Sequence, residues 1–232
     1  MRRFVLAIGG IAVALGLRVE AVRGDQADNV LRRDRGSVNV TVQSGATMPV
    51  IGSLNVGDRA TATTAQRSLA TLQLLDSSEI RIGDQTSVMV GYLRKAAEDP
   101  RSAVVTLNRG AIRFNIVHPA GARSSYRFST PTTQIAVRGT TGYLVSGPAG
   151  DQVYCVTCEA DVAVSGRGFG PVSLHTGQTL NVSIREGAVV GTEVVANPSV
   201  NNPAIDQFLG GFSPFGVPAS LGRDPTGSGS GT

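Results

Sequence analysis

The chain has 232 residues, enough to bury one sizeable core with tails but too few for several large domains. Charged residues are sparse at 16%, and the formal net charge of +4 rests on 20 scattered arginines and a single lysine, Lys95. Removing Arg2, Arg3, Arg18 and Glu20 with the first 21 residues leaves 18 basic and 16 acidic side chains. A net +2 spread in this way excludes the clustered basic face that nucleic-acid binding requires.

The N-terminus pairs Arg2 and Arg3 with an apolar run from Phe4 to Leu17, followed by Val19-Glu20-Ala21. This is the layout of a cleaved secretory signal, residues 1–21, with Val22-Arg23-Gly24 as a second cleavage point. The run is shorter than the roughly 20 residues that span a bilayer, so the expectation is a mature chain without a stable membrane span. No lipobox cysteine follows, and the expected location is periplasmic or extracellular. Residues 22–36 are polar and charged without a clear period, and read as a lead-in.

From Ser37 to Ala196 the pattern is strand after strand. "AIRFNIV" places Ile112, Phe114 and Ile116 on one face and Arg113 and Asn115 on the other. "SYRFST" and "TQIAVRG" alternate in the same way, as do "DVAVSG" and "TLNVSI", and period 2 marks half-buried strands. The breaks are turn chemistry: Gly57-Asp58, Asp76-Ser77-Ser78, Gly83-Asp84, Asn108-Arg109-Gly110, Gly147 to Gly150, and His175-Thr176-Gly177. Many short strands at close spacing predict one all-β domain, a sandwich or β-solenoid-like fold. Only Leu93 to Pro100 looks helical. Residues 197–232 are rich in Pro, Gly, Ser and Asn, and the last dozen are expected to be disordered. Before them lie Ile205, Phe208, Leu209, Phe212 and Phe215, either a short helix docking on the domain or an exposed partner motif.

Few residues suggest chemistry. His118 and His175 are the only histidines, with no Cys, Asp or Glu at ligand spacing, so no metal site is predicted. No Gly-x-Ser-x-Gly elbow accompanies them, and no catalytic set or cofactor site is expected. Asp58, Asp76 and Asp84 stand beside Gly or Ser and read as turn formers. Cys155 and Cys158 are the only cysteines. Fully extended, their Cα atoms would lie about 10 Å apart by strand rise. A disulfide spans less than about 7 Å, so the chain must turn between them for a bridge to form. A disulfide, two reduced thiols and a redox-active pair all remain open.

The stretch "STPTTQIAVRGTTGYLV", Ser129 to Val145, offers a phosphate cradle or a structural turn. A cradle needs glycines leading into a helix N-terminus, and no helical pattern follows. Pro131 fixes φ at a strand entry, Gly139 permits a left-handed conformation or a close approach, and Thr140 can hydrogen-bond into the turn. Arg138 is either paired inside or exposed.

The order of these segments resembles the FecR domain family, named for periplasmic regulators of siderophore uptake. "LQLLDSSEIRI" (Leu72–Ile82), "RGAIRFNIV" (Arg109–Val117), "STPTTQIAVRGTTGYLV", "CEADVAV" (Cys158–Val164) and "LHTGQTL" (Leu174–Leu180) follow the family's sequence of motifs. The resemblance spans roughly Ser37 to Ile184 and makes Thr130, Pro131, Arg138, Gly139 and Thr140 its motif turn. It also implies a hairpin turn at Cys158 to Asp161. Two departures stand out: the family's Asp-Gly-Ser turn is Asp76-Ser77-Ser78 here, and its acidic-Gly turn is Glu159-Ala160. The siderophore regulators also carry a cytoplasmic anti-sigma domain, which a leader plus residues 22–36 does not supply. The resemblance therefore implies a non-enzymatic binding or scaffolding module of the cell envelope, with a protein or glycan partner. The alternative is a detached periplasmic signalling arm of an iron-uptake type transporter and sigma-factor system.

Overall fold

A computed structural model describes residues 29–92, 103–117 and 126–196. The leader, the helix-like 93–100 segment, His118 and the tail from 197 lie outside the described residues. Within them the chain is all-β, with seventeen strands. In order they are β1 (Val30–Arg35), β2 (Val38–Thr41), β3 (Thr47–Pro49), β4 (Ser53–Asn55), β5 (Ala60–Thr64) and β6 (Leu69–Gln73). Then come β7 (Glu79–Ile82), β8 (Ser87–Tyr92), β9 (Ala103–Asn115), β10 (Tyr126–Ser129), β11 (Thr133–Val137) and β12 (Thr140–Gly147). The last five are β13 (Gly150–Cys158), β14 (Val162–Gly166), β15 (Phe169–Leu174), β16 (Gln178–Arg185) and β17 (Ala188–Ala196).

The strands form two layers joined through β9. One layer runs β4-β1-β6-β7-β9-β12-β13-β16-β17 and the other β3-β2-β5-β8-β9-β10-β11-β14-β15. Thirteen residues make β9 long enough to serve both: Val104 to Arg109 pair with β8, and Gly110 to Asn115 pair with β12. It changes layer at Gly110, which holds φ +98°, and Thr86 packs so closely there that a Cβ would not fit. The single parallel pair is β9 with β10, and the other pairings are antiparallel.

The core lies between the layers. Alternate residues of every central strand point inward, including Leu72, Ile80, Ile112 and Leu144 from the first layer and Val88, Leu107, Phe128 and Ile135 from the second. The Phe114 and Phe128 rings meet across the interface with centroids 4.5 Å apart. From β10 onward the chain alternates between two moves. It makes a hairpin within a layer at 130–132, 148–149, 167–168 and 186–187, and it crosses between layers at 138–139, 159–161 and 175–177. In this part of the chain the hairpins lie at one end and the crossings at the other, here called the hairpin end and the corner end. This coiled path gives the solenoid character with no repeat in the sequence.

A chain that leaves one ladder for another strands its amides, and buried hydroxyls meet them at the crossings. Ser68 Oγ accepts from the Ser37 amide at 2.9 Å, Thr64 Oγ1 accepts from Thr86 N at 2.9 Å, and Thr86 Oγ1 accepts from Ala111 N at 3.0 Å.

Two expectations change. The sheet starts at Val30, inside the segment read as a polar lead-in. Strand β1 pairs with β4 and β6 and buries Leu31, but a bulge between Arg33 and Arg35 breaks its alternation and leaves one inward apolar residue as its signal. The turn at Cys158 to Asp161 is a crossing and not a hairpin, because β13 pairs with β12 and β16 while β14 pairs with β11 and β15.

Candidate functional site

The five motif residues do not form one site. Thr130 and Pro131 lie at the hairpin end, whereas Arg138, Gly139 and Thr140 lie at the corner end, with β11 between them. Each group has its own local chemistry.

At the hairpin end, Thr130 is buried and its Oγ1 accepts from the Thr133 amide at 2.9 Å. The hydroxyls of Thr130, Thr132 and Thr133 all donate to Oδ2 of Asp151, whose side chain is 1% exposed. Thr133 makes its bond at 2.8 Å. A buried carboxylate needs donors, and a Thr-Pro-Thr-Thr turn supplies three. Asp151 therefore locks the β10–β11 hairpin of the second layer onto β13 of the first. Nothing in the local sequence announces this, because the partners are 18 to 21 residues apart.

At the corner end, Gly139 holds φ +56°, the left-handed region, and the Glu159 side chain lies where a Cβ would project. Its carbonyl accepts from the Glu159 amide at 3.0 Å, tying the first crossing to the second. Thr140 Oγ1 donates to the Arg138 carbonyl at 3.2 Å, while the Arg138 side chain is exposed.

The cysteines belong to this end. Thr141 pairs with Thr157 and Gly142 with Cys155, so Val156 is an extra residue, a β-bulge in β13. Residues three apart in a regular strand face opposite sides; the bulge restores parity. Cys155 is buried in the core, Cys158 packs against the same core, and their Cα atoms are 6.2 Å apart, within disulfide reach. The required shortening comes from a bulge and not from a turn. The Cys155 carbonyl accepts from Gly177 N at 2.8 Å and the Cys158 amide donates to Thr176 Oγ1 at 3.0 Å, which binds the third crossing to the pair.

His175 is not isolated. Its Nδ1 lies 2.7 Å from Oδ1 of Asp161, contributed by the neighbouring crossing, and both side chains are well exposed. Sequence spacing misses the pairing because the partners sit on different strand connections. Arg138, Glu159, Asp161 and His175 thus present mixed charge on three crossings cross-linked by backbone hydrogen bonds. Nearby, Asp76 fulfils its turn role: its Oδ1 accepts from the Ser78 amide at 3.0 Å, and its Oδ2 accepts from the Tyr126 hydroxyl.

Fold and corners together define an all-β, two-layer domain with a polar, rigid end. The family model described as FecR protein matches residues 60–162 of the chain. That match runs from β5 to the start of β14; the layers continue on both sides of it, and the Leu174–Leu180 motif falls outside. Two crystal structures of a candidate anti-sigma factor from Parabacteroides distasonis are similar at 13% identity, with TM-scores of 0.49 and 0.48. Each alignment covers 59% of this chain and 59% of the other. No curated protein matches the chain.

Proposed function

We propose that the protein is an exported, non-enzymatic FecR-type binding module of the cell envelope, and that the corner end is its recognition surface. The observation that carries this reading is the placement of Arg138. It is the exposed charged side chain of the family motif, on a crossing whose backbone is fixed by Gly139, beside exposed Glu159, Asp161 and His175. A rigid end with both charge signs suits a polar protein surface, where directed charge pairs set register and discriminate between partners. Export is supported by Cys155 and Cys158, two cysteines held within bridging distance, since disulfides persist in oxidising compartments.

The FecR match favours a more specific form of the same role, the signalling arm of a transporter system. Crosslinking in intact cells followed by capture of the protein tests both forms. An outer-membrane receptor in the captured material supports the signalling arm, and an envelope glycan or scaffold protein supports the general module. Intact mass of the captured chain beginning near Val22 or Asp25 supports export with cleavage, and a full-length chain confined to the cytoplasm contradicts it.

A further inference from the structure

The outward side of the first layer carries a strip that solvent does not reach. Leu69, Thr71, Ala111, Tyr143, Val156 and Thr179 are all buried, Tyr143 to 2% exposure, although each points away from the core. Their inward neighbours Ala70, Ile112, Leu144, Cys155 and Leu180 fill the core instead. Every described strand belongs to one of the two layers, so none lies across this strip. The outward side of the second layer behaves as an uncovered face should: Thr63, Met89, Thr106, Gln134 and Ala163 are all partly or fully exposed.

We propose that this strip is the docking surface for the chain's own segment 202–212, folded as a short helix on Tyr143, Leu69 and Val156. The segment's sequence carries the start and stop signals of a helix: Asn202 at the N-cap, Pro203 at the first position and Gly210 just past the end. Ile205, Phe208 and Leu209 then fall on one face by their i, i+3, i+4 spacing. The geometry of the exit fits. Strand β17 is the edge of the first layer, and Val195 stands in a single cross-strand row with Thr179, Tyr154 and Tyr143. From there to β12 is three strand spacings, about 15 Å. The nine residue steps from Ala196 to Ile205 reach up to about 30 Å. The charges agree as well. Arg113 adjoins Tyr143 in the same row, its Nε is buried without an acceptor among the described residues, and Asp206 brings a carboxylate to that side.

Hydroxyl-radical footprinting of Tyr143 in the full chain, read by mass spectrometry, tests the proposal. Phe208→Asp combined with Leu209→Asp should raise Tyr143 oxidation several-fold while circular dichroism still reports the folded sheet, and Phe215→Asp should leave it unchanged. Retained protection of Tyr143 in a monomeric double variant overturns the proposal. Retained protection because the variant dimerises, when the parent is monomeric, supports it, since a second copy then replaces the lost cover. Should the variant fail to fold, nuclear Overhauser contacts in the parent chain decide. Contacts from Phe208 or Leu209 to the Tyr143 ring support the docking, and contacts to that ring from any other segment in their place overturn it.

Discussion

Cys155 and Cys158 stand 6.2 Å apart, Cα to Cα, on the same side of one strand, because the bulge at Val156 cancels the parity that three residues would impose. We predict that the purified exported protein has a mass two hydrogens below the reduced value. The bridge closes a very short loop, so its entropic contribution is about 2 kcal/mol. For a domain of this size that corresponds to a loss of roughly 4–8 °C in melting temperature on reduction. Paired melts with and without a thiol reductant check this, and an unchanged midpoint would show that the bridge contributes nothing.

Two turns should answer oppositely to substitution at left-handed positions. Ser77 holds φ +67° at the place where the FecR pattern has glycine, so the backbone conformation is kept without the residue that favours it. Ser77→Gly should stabilise by up to about 1 kcal/mol, since αL costs a side-chain-bearing residue about that much. Gly139→Ala should destabilise by about 1 kcal/mol or more, because φ is +56° and Glu159 must also move aside. Chemical denaturation of the two variants beside the parent measures both signs. A stable Gly139→Ala variant would remove the reason given for this glycine.

Asp151 collects three threonine hydroxyls at a buried site. Replacing it by alanine leaves donors without an acceptor, with an expected cost of about 2–4 kcal/mol. Asp151→Asn, which keeps a carbonyl acceptor, should cost less. Equal losses for the two would mean that the packing volume matters and the hydrogen bonds do not.

Burial pushes the Tyr143 phenol above its ordinary value of 10; the Arg113 guanidinium opposes the shift and Tyr154 adds to it. The unfolded chain then ionises first. Stability from this group is whole below about pH 10 and is lost as pH rises from there toward the folded value. Tyr143→Phe should flatten that alkaline loss. Denaturation midpoints measured on both sides of pH 10 test the direction, and an identical alkaline slope in the variant would contradict it.

Much of the fold was legible because inward alternation is local. Ile112 with Phe114, Tyr126 with Phe128, and Ile135 with Val137 all announce their strands and all point inward. Layer assignment was not legible. A turn such as Glu159-Ala160 looks alike whether it closes a hairpin or carries the chain between sheets, and only the pairing of β14 with β11 decides. The same limit hid the sites. Asp161 meets His175, and Asp151 meets Thr130, through strand neighbours far apart in sequence. Strand β1 was missed for the opposite reason: its one inward residue, Leu31, stands among arginines.

The central claim is that the corner end recognises a partner through Arg138. Its side chain is exposed, so Arg138→Ala should cost only about 0–1 kcal/mol of stability. The direct measurement is crosslinked capture from intact cells at a temperature where every variant is folded, comparing Arg138→Ala with Arg167→Ala, an exposed arginine at the hairpin end. Arg138→Ala should lose the partner with its melt unchanged, while Arg167→Ala should capture as the parent does. Undiminished capture by Arg138→Ala, or equal loss from both, would contradict the central claim.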